Sequence, residues 1–168
     1  MLVSSTLAGA VRLSPERSMP LNRDLVGKTY PPITYEVSRE KIREFATAVG
    51  EASSICHDLE AAKDAGYPEQ VAPPTFATVL HILSGPAVLS DPDLGLDYSR
   101  VVHGEQEFEY RRPILAADVL TATPRIADIS VRGPLEFLRI ETTIADPAGE
   151  VVVIARATLI SRGTAGGS

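Results

Sequence analysis

The chain has 168 residues, 44% of them hydrophobic and 23% charged, which is the length of one domain with enough apolar side chain for a packed core. Its formal charge of −6 argues against a nucleic-acid partner, since phosphate binding needs clustered Lys and Arg and the densest basic spot is Arg111-Arg112. One cysteine, Cys56, rules out an internal disulfide framework and a cysteine-based zinc site, and it suits the reducing conditions of a cytoplasmic protein.

Residues 1–19 are mildly apolar but too interrupted for a signal peptide or a membrane span, and they are expected to be a disordered extension. A single domain over residues 20–162 follows, and residues 163–168 form a Gly-rich flexible tail. Ile33 to Val37 is β-prone. Ser38 is placed to cap a helix in which Ile42, Phe45, Ala46 and Val49 share one face, and Gly50 ends it. Asp58 caps a second, shorter helix that runs to Ala65 and is closed by Gly66.

From Pro74, the run Phe76, Ala77, Val79, Leu80, Ile82 and Leu83 is apolar nearly all round, so this helix is expected to be buried. Gly85-Pro86 kinks or ends it, and Asp91-Pro92-Asp93 makes a turn. Residues 101–110 then alternate with period two. Val102, Gly104, Gln106, Phe108 and Tyr110 are expected on one face, with Val101, His103, Glu105, Glu107 and Glu109 on the other. Val119 to Ile129, Leu135 to Ala145 and Val151 to Ile160 supply three more strands, separated by Gly133-Pro134 and by Asp146-Pro147-Ala148-Gly149. Val151 to Ala155 is apolar on both faces, which places that strand centrally or at a subunit contact. One helix beside a long antiparallel sheet gives an α+β layout in which the sheet wraps the helix.

Three segments also carry a resemblance: Tyr35 to Ala46; Ala72-Pro73-Pro74-Thr75-Phe76; and Leu94 to Gln106. With Phe108-Glu109-Tyr110-Arg111-Arg112-Pro113 and Ala117-Asp118, they resemble, in order, the MaoC-like dehydratases and specifically their FAS1-like, N-terminal-half group. The resemblance implies a hot-dog fold, with a five-stranded antiparallel sheet around a long buried helix. It also implies a substrate that is a 3-hydroxyacyl thioester of coenzyme A or acyl carrier protein, and assembly as a homodimer or as a heterodimer with a catalytic MaoC-like subunit. The group resembles the accessory subunits of heterodimeric (R)-3-hydroxyacyl-ACP dehydratases.

Dehydration of such a thioester needs a base, an acid for the leaving hydroxyl and donors for the carbonyl oxygen. Catalytic relatives are similar in a loop of pattern Gly-Asp-x-Asn-Pro-x-His. Here the loop is Gly50-Glu51-Ala52-Ser53-Ser54-Ile55-Cys56-His57, with Glu51 in place of the aspartate, Cys56 in place of the histidine, and His57 one position late. Glu51 and His57 are therefore the candidate catalytic pair of a degenerate motif, and near-attack geometry tolerates little displacement. The resemblance, together with the free first amides of the buried helix, implies substrate contacts from Pro74, Thr75, Phe76 and Ala77. Arg100 and Arg111, with Arg112, suit the phosphates of coenzyme A or the acidic surface of a carrier protein. His81 is expected as a satisfied core or interface residue, and His103 on a solvated or subunit-facing strip. No metal-ligand spacing and no phosphate-cradling loop is present, so neither metal nor cofactor is expected.

Three functions remain open at this point. They are a substrate-binding non-catalytic dehydratase subunit, a self-sufficient homodimeric (R)-specific enoyl-CoA hydratase using Glu51 and His57, and a non-enzymatic acyl-thioester binding module.

Overall fold

The computed structural model describes residues 19–162. The extension expected over residues 1–19 lies outside the described residues save for Met19, and the tail expected over 163–168 lies wholly outside them.

Strand β1 (Ile33–Glu36) leads into helix α1 (Arg39–Val49), whose N-cap Ser38 accepts the Lys41 amide at 3.1 Å. Gly50 ends α1 with φ 73°, a conformation that costs a side-chain-bearing residue energy. Ile42 and Ala46 form its buried face, while Val49, expected beside them, is exposed. Asp58 caps α2 (Leu59–Asp64) by accepting the Ala61 amide at 2.8 Å. The apolar run forms α3 (Ala77–Ser84), and α4 (Pro86–Leu89) continues beyond Gly85.

Four strands follow: β2 (Val101–Tyr110), β3 (Val119–Arg132), β4 (Leu135–Ala145) and β5 (Val151–Arg162). All pairings are antiparallel and the sheet order is β1-β3-β4-β5-β2. β5 is thus an interior strand, paired on both sides by β4 and β2, and Val152 and Val153 are fully buried. Helix α3 packs on the concave face through Ala77, Leu80, His81 and Ser84. The core has two lobes. One joins α1, α3 and the β5 start around Phe76, Leu80, Leu120 and Ile144; the other gathers Leu21, Tyr30, Leu94, Ile126 and Leu138.

Two expectations need correction. The central helix is eight residues long and is not buried all round, since Ile82 is 64% exposed and Leu83 48%. Both belong to a face that this single chain leaves uncovered. The alternation of β2 is also broken, because a bulge between His103 and Glu105 shifts the register against β5. Two residues on a bulged strand oppose one on its neighbour, so every side chain beyond it changes face. His103 therefore shares the face of Leu159, while Gln106 lies opposite Ala157 and Glu105, Glu107 and Glu109 are on the other face; His103 stays exposed, as a solvated or subunit-facing residue would be. A side chain at Gly104 would press on Ile160, with Cβ 2.8 Å from its Cδ1.

Candidate functional site

A cavity of about 500 Å3 lies where the loop after α1 meets the segment before α3 and the end of β2. Its walls are mainly apolar, from Ile55, Val71, Ala72 and Ile114, and Glu51, Arg111 and Arg112 supply charge. An apolar hollow with a few polar groups is the usual form of a small-molecule site.

The two residues of the displaced motif behave differently here. Glu51 and Cys56 line the cavity, and His57 does not. The His57 Nε2 lies 2.7 Å from the backbone carbonyl oxygen of Glu51, while the Glu51 carboxylate accepts the Ser53 amide at 2.9 Å. Carboxylate and imidazole are each engaged with the loop's own backbone. Cys56, at the position of the relatives' histidine, is buried, and burial followed by the nearby Glu51 charge pushes its thiol pKa up. A thiol held protonated is a poor nucleophile.

The helix start is likewise occupied. Of the four residues expected there, Pro74 lines the cavity; Thr75, Phe76 and Ala77 do not. The Phe76 amide donates to Pro73 O at 2.8 Å, and the Phe76 ring is buried edge-on against Phe45, with centroids 5.4 Å apart. The Tyr110 hydroxyl donates to Pro74 O at 2.8 Å, laying the phenol across the first turn. Burial pushes the Tyr110 pKa up to about 12, with the Ala77 amide acting in the opposite sense, so the hydroxyl keeps its proton. Sequence reasoning put Tyr110 on one strand face with Phe108, but nothing in the pattern marked it as the residue that covers the helix start.

Of the arginines, Arg111 stands at the cavity mouth, more than half exposed, beside Glu109 at 2.6 Å. Arg112 is committed to structure, its guanidinium binding both Asp118 oxygens at 2.8 and 3.1 Å. Arg100 pairs with Asp97 at 3.2 Å and does not line the cavity. Among the described residues no group of His, Cys, Asp and Glu side chains is arranged to hold a metal ion. No helix among them is long and apolar enough to cross a membrane.

Residues 24–155 match the model of the FAS1-like dehydratase domain region. The chain belongs to the FAS1-like dehydratase family. Several relatives carry the name UPF0336 protein. That of Saccharopolyspora erythraea is 51% identical over 148 residues, covering 88% of this chain and 95% of the relative. That of Streptomyces coelicolor is 50% identical over 145 residues, covering 86% and 97%. Among solved structures, a chain of the C-terminally truncated HadBC (3R-hydroxyacyl-ACP dehydratase) complex from Mycobacterium tuberculosis superposes with a TM-score of 0.75 at 32% identity, covering 82% of this chain and 98% of that one. A MaoC-like dehydratase gives 0.76 at 30% identity, over 82% of this chain and 42% of that protein. The FAS1-like dehydratase chain therefore has the hot-dog fold, and its solved neighbours include a chain of a 3R-hydroxyacyl-ACP dehydratase complex.

Proposed function

We propose that this chain is the substrate-binding, non-catalytic subunit of a cytoplasmic (R)-3-hydroxyacyl-thioester dehydratase, working as a heterodimer with a catalytic MaoC-like subunit. The observation that carries the reading is the state of the displaced pair. The imidazole is tethered to a backbone carbonyl outside the cavity, and the carboxylate inside it is bound to the Ser53 amide. Proton transfer requires a base within hydrogen-bond reach of the substrate carbon and an acid near its hydroxyl. This loop offers the cavity a carboxylate and a protonated thiol, with no imidazole.

The remaining features suit binding. The apolar cavity takes the acyl chain, Pro74 borders it, and Arg111 at the mouth meets the phosphates of coenzyme A or of a carrier protein's pantetheine arm. The partner has a surface to use. β2 is an edge strand with one side unpaired, and exposed Ile82 and Tyr98 stand together on the side of His103. Open edges and apolar patches of this kind are normally covered. Likeness to a chain of the HadBC complex supports the same assembly.

The test is hydration of crotonyl-CoA and of a longer trans-2-enoyl-CoA, followed by loss of the enone absorbance. The isolated, folded chain is expected to be inactive, and co-expression with a catalytic MaoC-like subunit to give an active pair. Turnover by the isolated chain that vanishes in His57→Ala would overturn the reading in favour of the homodimeric hydratase. Activity of the pair that is the same without this chain would overturn it too.

A further inference from the structure

The two arginines in the cavity wall are not equally free. Arg112 gives both Nη atoms to Asp118 and has Asp146 at 3.8 Å, so its charge is spent. Arg111 beside it ends a ladder of charges that crosses the outer face of the sheet. Arg156, on β5, stands in register between Glu107 on β2 and Glu141 on β4. Its Nε donates to Glu141 at 2.7 Å and one Nη to Glu107 at 3.0 Å, and both Nη atoms close on Glu109 Oε2 at 3.1 Å. Arg125 and Arg139 flank this group, donating to Glu141 at 2.8 Å and to Glu107 at 3.1 Å. The other oxygen of Glu109, Oε1, lies 2.6 Å from Arg111 Nη2.

Among the described residues, Arg111, Arg125, Arg139 and Arg156 are thus paired with Glu107, Glu109 and Glu141 alone. One positive charge is left over, and the open end of the ladder is Arg111, its side chain 59% exposed at the cavity mouth. The other end is covered, since the Arg156 and Glu141 side chains are 19% and 14% exposed. A lone exposed ion pair holds little, whereas a network with a covered anchor holds its members. Glu109 spends Oε2 on that anchor and Oε1 on Arg111, and the remaining N–H groups of the Arg111 fork have no partner among the described residues.

We propose that Glu109, clamped by Arg156, is the positioning residue that fixes Arg111 to receive a single phosphate group at the cavity mouth. That role rests on the reading of Arg111 as the phosphate contact of an acyl thioester. A guanidinium binds phosphate through a fork of fixed geometry, and a long side chain whose direction is already set gives up less rotamer freedom on binding. Side chains that touch a ligand keep their aim when a further set of contacts holds them from behind, and here that set spans β2, β5 and β4. The one surplus charge suits one phosphate, because Arg112 is spent and Arg100 does not line the cavity.

Calorimetric titration of the full-length chain compares hexanoyl-4′-phosphopantetheine with hexanoyl-pantetheine, which differ in the phosphate alone. Wild type is expected to bind the phosphorylated compound at least about five-fold more tightly, and Arg111→Gln to bring that ratio to about one. Glu109→Asp and Arg156→Lys keep every charge and change only reach and fork geometry, and each is expected to cut the ratio at least about two-fold. The two ligands are compared on one preparation, so a variant that merely lost folded protein would keep the wild-type ratio, and urea midpoints record any such loss. A ratio near one in wild type, or no binding of either compound, would remove Arg111 from phosphate binding and Glu109 from positioning it. A wild-type preference that Arg111→Gln abolishes, but that either charge-keeping variant retains in full, would overturn the positioning role and leave the reading of Arg111 intact.

Discussion

His57 Nε2 lies 2.7 Å from the backbone carbonyl oxygen of Glu51, and the carboxylate of the same Glu51 accepts the Ser53 amide at 2.9 Å. Both groups stitch the loop that follows α1 to itself. A loop closed in this way holds the cavity wall at Ile55 and Cys56 without presenting an acid–base pair to it. In the active pair, His57→Ala is therefore expected to keep turnover within about two-fold while costing about 1 kcal/mol of stability, the usual worth of one intramolecular hydrogen bond. Enoyl-CoA hydration and urea unfolding on the same preparation check this. Loss of turnover with unchanged stability would assign His57 to the chemistry.

The Tyr110 hydroxyl ties the end of β2 to the start of α3 through Pro74 O at 2.8 Å. Tyr110→Phe keeps the ring and removes that tie. The expected result is a loss of about 1 kcal/mol in urea unfolding with little change in slope, since one hydrogen bond goes and the exposed area does not. A cost near zero would mean that water replaces the phenol freely.

Ile82, a large apolar residue in the second turn of α3, is 64% exposed at the open side of that helix. Ile82→Asp leaves the chain's own core untouched, so the isolated subunit is expected to fold with its stability changed by less than about 0.5 kcal/mol. Association is expected to fail, because a buried unpaired carboxylate at an interface is costly. Sedimentation or light scattering of the co-expressed pair reads the outcome. An intact complex would move the contact away from this helix face.

The element order was legible from residue pattern: the Ser38 and Asp58 caps, the stop at Gly50 and the strand alternation are local signals, and each marks its element. What the pattern could not carry was non-local. Apolarity all round α3 predicted a buried helix, yet the chain leaves Ile82 and Leu83 open, because composition marks apolar residues without saying which of them the fold covers. The β2 bulge depends on how β2 registers against β5, so strict alternation put His103 on the wrong face. At the candidate site, the substitutions for the relatives' aspartate and histidine were visible in the sequence. The backbone tether of His57 and the phenol over the helix start were not, because both depend on chain direction in three dimensions.

Asp91 joins two separate parts of the chain, accepting from Lys28 Nζ and from the Tyr30 hydroxyl, both at 2.7 Å. Those hydrogen bonds, Lys28 first, hold its carboxyl pKa down to about 2. A depressed carboxylate adds stability that is complete above its ordinary pKa of about 3.9 and is lost as pH falls through the folded value. The stability gap between wild type and Asp91→Asn is expected to be constant from pH 7 to about pH 4, and to narrow from there to about pH 2. Urea midpoints of the two proteins across that range test it, and parallel curves would mean that the carboxylate charge contributes nothing.

His81 gives a second pH dependence, centred higher. Burial first, and the neighbouring His103 second, lower its pKa to about 4, while the unfolded chain titrates near the ordinary value of about 6.5. Between those values the unfolded chain binds a proton that the folded chain refuses, so stability is complete above about pH 6.5 and falls toward about pH 4. The shift corresponds to roughly 3 kcal/mol across the window, at 1.36 kcal/mol per pKa unit. His81→Phe removes this contribution and leaves His57 and His103 in place, so the difference between the two stability profiles isolates one group. The variant is expected to be flatter between pH 6.5 and 4, and His103→Gln to make the wild-type fall smaller, because relieving the repulsion raises the folded value toward the unfolded one. Stability curves of wild type and His81→Phe that run parallel through this window would show that the ring is solvated in the folded protein.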